Sequence, residues 1–410
     1  MRFSTRIGLF ILATFLFATP TGAAFQEIRG VELGPLKVHP SLSIKEEYNN
    51  NIFLESEHEK ADWITIFTQE ILLELPIWDY RFQLDYQADL IKYADYGEYD
   101  TDDHRISTLL DFEFPVGLDL ECAYEFISSS TPPDWEGDVR NDYYHNMASL
   151  EASYGISEIY KAQLKYKNKT KDYESMPFGP GYRMLYDPEL DNYTENDYSA
   201  ILFYHLSPLT SLLFEYGFAN KNRTSKGLLS TDSDTHRVWV GAKWEADALV
   251  SGTIKGGYYQ RAYDDPDDWS GIALLGDLTY SMTPLTTFTL ALSREAKDAL
   301  VTANSVYVEA WPYGSYYIST RVRLSVNHQF PHRFSASAHI SYRNNDFQEE
   351  GYYEGKKRKD DCIDLGWGID YAIQDRLGCG MSFGFRDNNS NYAYESYRES
   401  TVTAYIKMAL

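Results

Sequence analysis

Hydrophobic and polar residues alternate along almost the whole chain with a period of two. Over 80–90, Tyr80, Phe82, Leu84, Tyr86, Ala88 and Leu90 hold one parity, and Arg81, Gln83, Asp85, Gln87 and Asp89 hold the other. Over 118–126, Leu118, Leu120, Cys122, Tyr124 and Phe126 face Asp119, Glu121, Ala123 and Glu125. Over 160–169, Tyr160, Ala162, Leu164 and Tyr166 oppose Lys161, Gln163, Lys165, Lys167 and Lys169. Later, Ile363, Leu365, Trp367, Ile369 and Tyr371 alternate with Asp364, Gly366, Gly368 and Asp370. Successive side chains of a strand point to opposite faces, so each stretch predicts a strand with one apolar and one polar face.

Eighteen such segments recur between residues 37 and 410, among them 80–93, 118–128, 159–169 and 361–372. Their connections alternate in length. Short turns are expected at 76–79, 115–117, 155–158, 207–210, 246–248, 283–285, 331–332 and 373–375. Long polar loops are expected at 48–62, 94–103, 129–142, 170–196, 222–234, 264–269, 297–317, 344–360 and 387–397. An even strand count, with short turns at one end and long loops at the other, predicts an all-β fold: a transmembrane antiparallel up-and-down β-barrel of a bacterial outer membrane. A soluble sandwich would have fewer strands and would not segregate its loops by length. The chain ends inside a segment, Val402, Ala404, Ile406, Met408 and Leu410 alternating with Thr401, Thr403, Tyr405 and Lys407. Closing the last strand on the first removes both sheet edges, which lipid would not tolerate.

The first 24 residues read as a cleaved secretory signal peptide: Arg2 and Arg6, an apolar run over 7–17, then Thr21, Gly22, Ala23 and Ala24. Residues 25–36 are expected to form a short periplasmic segment and 37–410 the barrel. Composition then changes meaning. A mean hydropathy of −0.44 and a net charge of −24 resemble a soluble acidic protein. In a barrel, however, only every second strand residue meets lipid. The charge excludes nucleic acid as a partner, since phosphate binding needs clustered cations. The aromatic share of 16%, with 35 Tyr, fits girdles at the two membrane interfaces. Cys122, Cys362 and Cys379 form neither a disulfide framework nor a metal-ligand spacing, and no cofactor or metal is expected.

The polar parity predicts the wall of a lumen too wide for its own side chains to fill. Its charges sort into an acidic arc (Asp85, Asp89, Asp111, Glu113, Asp119, Glu121, Glu125) and a basic one (Lys161, Lys165, Lys167, Lys169, Arg237, Lys243, Arg321, Arg323, Arg343). Opposed arcs would set a field across the lumen; alternatively, neighbouring charges pair across strands. The longest loop contains Met176, Pro177, Phe178, Gly179, Pro180, Gly181, Tyr182 and Arg183, a turn-rich candidate constriction. The acidic loop Asp264, Asp265, Pro266, Asp267, Asp268 lacks calcium-loop spacing and reads as solvated. No GxSxG, HExxH, P-loop or CxxC pattern is present, and His145, His205 and His339 fall on the polar parity. An enzyme is not expected.

The stretch Glu47, Tyr48, Asn49, Asn50, Asn51, Ile52, Phe53, followed by Asp62, Trp63, Ile64, Thr65, resembles the opening of the β-barrel porin-2 family. In that family Asp is commoner where this chain has Asn50. The resemblance implies a large outer-membrane barrel, often associated with exopolysaccharide export and working with a periplasmic polysaccharide-export protein. It brings no catalytic residues. A glycan conduit would use aromatics to stack on sugar rings, and the candidates are Trp135, Tyr182, Trp239, Tyr259, Trp269, Trp311 and Tyr313. The expectation is therefore a polysaccharide export channel. Its rivals are a general or selective porin for small solutes, a loop-plugged structural or adhesive barrel, and a barrel hydrolase. Expected partners are outer-membrane lipid and lipopolysaccharide, the barrel-assembly machinery, the export protein, and a polysaccharide or small polar solute in the lumen.

Overall fold

Each alternating segment folds as a strand, and the computed structural model closes them into one ring. It describes residues 30–77, 80–131, 141–174, 192–224, 232–245, 249–264, 268–298, 302–304, 308–310, 316–350 and 355–410. The strands are β1 (Leu36–Asn49), β2 (Asp62–Ile77), β3 (Tyr80–Tyr93), β4 (Thr101–Phe114), β5 (Leu118–Thr131) and β6 (Asn141–Gly155). Next come β7 (Tyr160–Tyr173), β8 (Tyr193–Ser207), β9 (Thr210–Arg223), β10 (Ser233–Trp244), β11 (Val250–Tyr263) and β12 (Trp269–Thr283). The last six are β13 (Thr286–Asp298), β14 (Tyr316–Gln329), β15 (Phe334–Glu350), β16 (Lys357–Gln374), β17 (Leu377–Ser390) and β18 (Tyr397–Ala409). Each pairs antiparallel with its sequence neighbours, and β18 returns to β1 with Ile406 opposite Ile44 and Thr401 opposite Asn49. The fold is a closed 18-stranded antiparallel barrel. Ahead of it, Val31–Leu33 turns back on the start of β1 as a small hairpin, inside the span expected to be a plain periplasmic segment.

The strands run 12 to 18 residues, and most of them extend past the segments that the alternation predicts. At the loop end both faces are polar, so the period fades while the hydrogen-bond ladder continues. β7 reaches Tyr173 instead of ending at residue 169.

The outward face carries the exposed large apolar residues: Leu42, Ile44, Leu90, Leu150, Leu164, Val240, Ile272, Ile340 and Trp367 among them. A lipid solvent makes that exposure favourable. Two levels of outward aromatic pairs flank it. Near the short turns lie Tyr80 with Phe112 at 5.2 Å, Tyr160 with Tyr204 at 5.5 Å and Phe334 with Tyr371 at 4.6 Å. Toward the loops lie Tyr166 with Tyr198 at 5.0 Å, Phe126 with Tyr144 at 6.1 Å and Phe218 with His236 at 5.1 Å. Much of the Tyr excess is spent here, where an aromatic ring keeps one end apolar and the other wet. Gly117 closes the 115–117 turn at φ +79°, a conformation a side chain would strain.

The Asn-rich stretch after β1 closes the ring at its loop end. Asn50 accepts from the Ser400 amide, and Asn50 N–H donates to the Ser400 carbonyl. Asn51, fully buried, donates from Nδ2 to the carbonyls of Glu55 and Arg398 at 2.8 and 2.9 Å. Asp62 accepts from the amides of Trp63, Asp95 and Tyr96. The residues carrying the family resemblance therefore tie β1, β2, the β3–β4 connection and β18 together.

The seam between β12 and β13 opens at its loop end. The β12–β13 ladder stops at Leu274 opposite Arg294. Trp269–Ala273 and Glu295–Asp298 have no register partners across it, although β13 stays paired with β14 up to Asp298 opposite Tyr316. An apolar cluster of Tyr263, Ala296, Tyr316 and Ile318, with Trp269 against it, fills the breach.

Candidate functional site: the charged inner wall

The register carries one face continuously around the inside of the ring, and it collects the polar parity. Asp85 and Asp89 sit there on β3, Asp111 and Glu113 on β4, and Asp119, Glu121 and Glu125 on β5. Lys161, Lys165, Lys167 and Lys169 follow on β7, Arg237 and Lys243 on β10, Arg321 and Arg323 on β14, and Arg343 on β15.

The two arcs are less pure than the sequence implied. Arg81 and Arg105 stand inside the acidic arc and pair with Asp111 and Asp85, the latter at 3.2 Å. Asp89 accepts from Gln87 at 2.8 Å. The β7 lysines are flanked by acids on both sides: Lys165 meets Glu151 of β6 at 2.7 Å, Lys161 meets Asp119 of β5 at 3.8 Å, and Lys169 meets Glu195 of β8 at 2.7 Å. Arg237 pairs with Asp197, and Lys243 with Glu245 at 3.4 Å. Ion pairs across strands thus take up Asp85, Asp111, Asp119, Lys161, Lys165, Lys169 and Arg237, partners that spacing along one strand does not reveal.

Three places set like charges opposite one another, and the first is Asp89 facing Asp103 across β3 and β4. Asp111, Glu121 and Glu151 are successive register partners across β4, β5 and β6, with Glu113 opposite Asp119 beside them. Arg81 and Lys165 cap the ends of that row, and among the described residues Glu121 makes no ion pair. Nearly opposite in the ring, Arg321 faces Arg343 directly and Arg323 lies two residues along β14. Arg321 donates to Ser341 at 3.1 Å and Arg323 to Ser325 at 3.5 Å. Like charges directly opposed on a sheet are destabilising, so these rows are not explained by the stability of the wall.

A packed part of the wall spans β9 to β13. Trp239 and Tyr259 pack over Ala273, all three buried and all facing inward. Trp239 approaches β11 closely because position 257 is glycine: a Cβ there would fall 2.7 Å from its ring. Lys255 pairs with Glu215 at 2.6 Å and lies 5.0 Å from the Trp239 ring centroid. Trp269, placed in a loop by sequence reading, begins β12 and turns inward, 5.6 Å from Tyr259. Arg261 lies among Thr235, Tyr259 and Tyr263 and pairs with Asp298 at 2.7 Å; Lys221 reaches the same carboxylate. Lys221, Arg261 and Asp298 were missed in the sequence, and Asp298 even falls on the outward parity of β13.

Trp135, Tyr182, Trp311, Tyr313, the Met176–Arg183 stretch and Asp265–Asp267 lie outside the described residues. The three histidines face inward. His339 bonds Asp364 at 2.8 Å and His205 bonds Ser211 at 2.8 Å. Ser211 is only 2% exposed, so this Ser–His contact offers no accessible nucleophile.

A family model described as "Putative beta-barrel porin 2" matches residues 24–410. The chain belongs to that family. No curated protein matches it in sequence. Among solved structures, this porin-2 barrel is similar to the outer membrane protein OpdK of Pseudomonas aeruginosa, with a TM-score of 0.46 at 10% identity over 91% of this chain and 99% of that one. It is also similar to OccK2 (OpdF) of the same organism, at a TM-score of 0.48 and 11% identity over 91% and 98%. A third is OccAB3 of Acinetobacter baumannii, at 0.44 and 11% over 91% and 99%. The family and the ring together place the chain in the outer membrane as a porin-type barrel. The export of polysaccharide, which the opening motif implied, finds no support in any of these likenesses.

Proposed function

We propose that this barrel is a passive channel for small polar solutes across the outer membrane. The observation that carries the reading is the inner wall, where a carboxylate row on β4–β6 stands nearly opposite a guanidinium row on β14–β15. Each row costs stability as a like-charge assembly, and a hydrated lumen crossed by solutes is the setting in which such a cost is repaid. A transverse field turns a polar solute's dipole and admits ions of either sign along different walls. Family membership favours this porin reading over the export conduit.

The test is reconstitution of the purified full chain. Planar bilayers are expected to show discrete conductance steps, and liposomes are expected to swell faster with small sugars than with larger ones. A barrel silent at every potential and salt concentration would leave the plugged structural reading instead. Deleting the gene is expected to impair small-solute uptake with surface polysaccharide unchanged; loss of that polysaccharide would return the export conduit.

A further inference from the structure

We propose that Lys221, Arg261 and Tyr263 form a binding cage for the carboxylate of a ring-bearing solute, and that Asp298 fills this cage as a built-in competitor; this names a substrate class for the channel proposed above and rests on that reading. Three donors converge on one carboxylate. Arg261 Nη1 donates to Oδ1 at 2.7 Å, the Tyr263 hydroxyl donates to the same oxygen at 3.1 Å, and Lys221 Nζ donates to Oδ2. Both oxygens are thus engaged by charge-assisted bonds, the pattern by which proteins hold a carboxylate ligand. The ionic side chains are 9 to 15% exposed, so water competes little.

The origin of Asp298 sets this contact apart from an ordinary wall pair. Lys221 is on β9 and Asp298 on β13, four strands away. With strands about 4.8 Å apart, the path along the wall is about 19 Å. Asp298 therefore reaches its partners across the inside of the wall. Its strand end is also anchored on one side alone, paired with β14 up to Asp298 while the ladder to β12 stops at Arg294. A carboxylate on such an arm leaves its cage at lower cost than one on a fully paired strand.

The surroundings define the ligand's other half. Tyr263 stacks on Tyr316 at 5.8 Å, Trp269 lies 6.5 Å from Tyr316, and Ala296 and Ile318 complete the cluster. An aromatic or alicyclic body attached to the carboxylate would replace contacts that the β13 end now supplies. A sugar acid or a small amino acid has too little apolar surface to do so.

Benzoate is the probe, titrated calorimetrically into the detergent-solubilised full chain. Asp298→Asn keeps the side-chain shape and removes the competing charge. A tethered competitor acts at an effective concentration in the millimolar range or above, so the variant is expected to bind benzoate at least about tenfold more tightly than wild type. Adding Arg261→Gln is expected to abolish the gain. Equal affinity in wild type and Asp298→Asn, or a gain that survives Arg261→Gln, overturns the cage. Should Asp298→Asn not fold alone, it is refolded in benzoate and, separately, in neutral benzyl alcohol. Recovery in benzoate alone supports the cage; recovery in neither or in both overturns it. A barrel that binds benzoate yet never conducts sinks the channel reading alone, and one that conducts while ignoring benzoate sinks the cage alone.

Discussion

Asn51 is a polar residue with no exposed surface at the point where the ring closes. Its backbone N–H donates to Asn49 Oδ1 at 2.8 Å, its Oδ1 accepts from the Glu55 amide at 3.0 Å, and its Nδ2 serves two carbonyls. Asn51→Ala strands those carbonyls in a dry site, at a cost of about 1–3 kcal/mol. The expected result is a lower urea midpoint, read from the heat-modifiable mobility of the refolded barrel. Asn50 differs. Its contribution is an oxygen accepting from the Ser400 amide, which Asp supplies equally well. Asn50→Asp is expected to leave the midpoint within about 0.5 kcal/mol of wild type, the usual range for a substitution that breaks no buried contact, while Asn50→Ala lowers it. Equal losses for Asp and Ala would mean that the Asn50 bond is unimportant. The motif was visible in the sequence and its purpose was not, since Asn51 and Arg398 are 347 positions apart.

At the scale of elements, period-two alternation located all eighteen strands, and the large apolar residues of its apolar parity form the exposed outer face. It failed at β13, where Asp298 and Ala296 carry the outward parity yet pack against Tyr263. The cause is a property of strand pairs: where β12 lets go, β13 is free to turn inward, and nothing within either strand announces the break. The same break makes a prediction. A ladder hydrogen bond contributes about 0.5–1.5 kcal/mol, so losing it quickens local opening several-fold. Amides of Glu295–Asp298 are expected to exchange deuterium before those of 286–293, with the free-edge amides of Trp269–Ala273 close behind. Peptide-resolved exchange of the detergent-solubilised barrel reads this directly. Uniform protection along β12 and β13 would mean that the seam is sealed in solution.

At the scale of the whole molecule, the alternation predicts two arcs of opposite charge; the ring sets the β7 lysines only one strand from the acidic arc and the β14–β15 arginines nearly opposite it, and threads counter-charges through both. Arg81 and Arg105 dilute the acidic arc, and Glu151, Glu195 and Asp197 dilute the β7 lysines. The like-charged stretches are narrower than the sequence implied: the row Asp111, Glu121, Glu151 on one side, with Arg81 and Lys165 at its ends, and Arg321, Arg323, Arg343 on the other. Ion selectivity is therefore expected to respond to these rows. Changing Arg321, Arg323 and Arg343 together to Gln is expected to move the reversal potential in a KCl gradient toward cation preference. Changing Glu113, Asp119 and Glu121 to Gln is expected to move it toward anions. A field effect also has a salt signature, because the screening length falls from about 10 Å at 0.1 M to about 3 Å at 1 M. Both shifts are expected to be large in the dilute gradient and mostly lost in the concentrated one. Shifts that persist at 1 M would mean that ions bind these side chains directly, and no shift at either concentration would place the conducting path away from them.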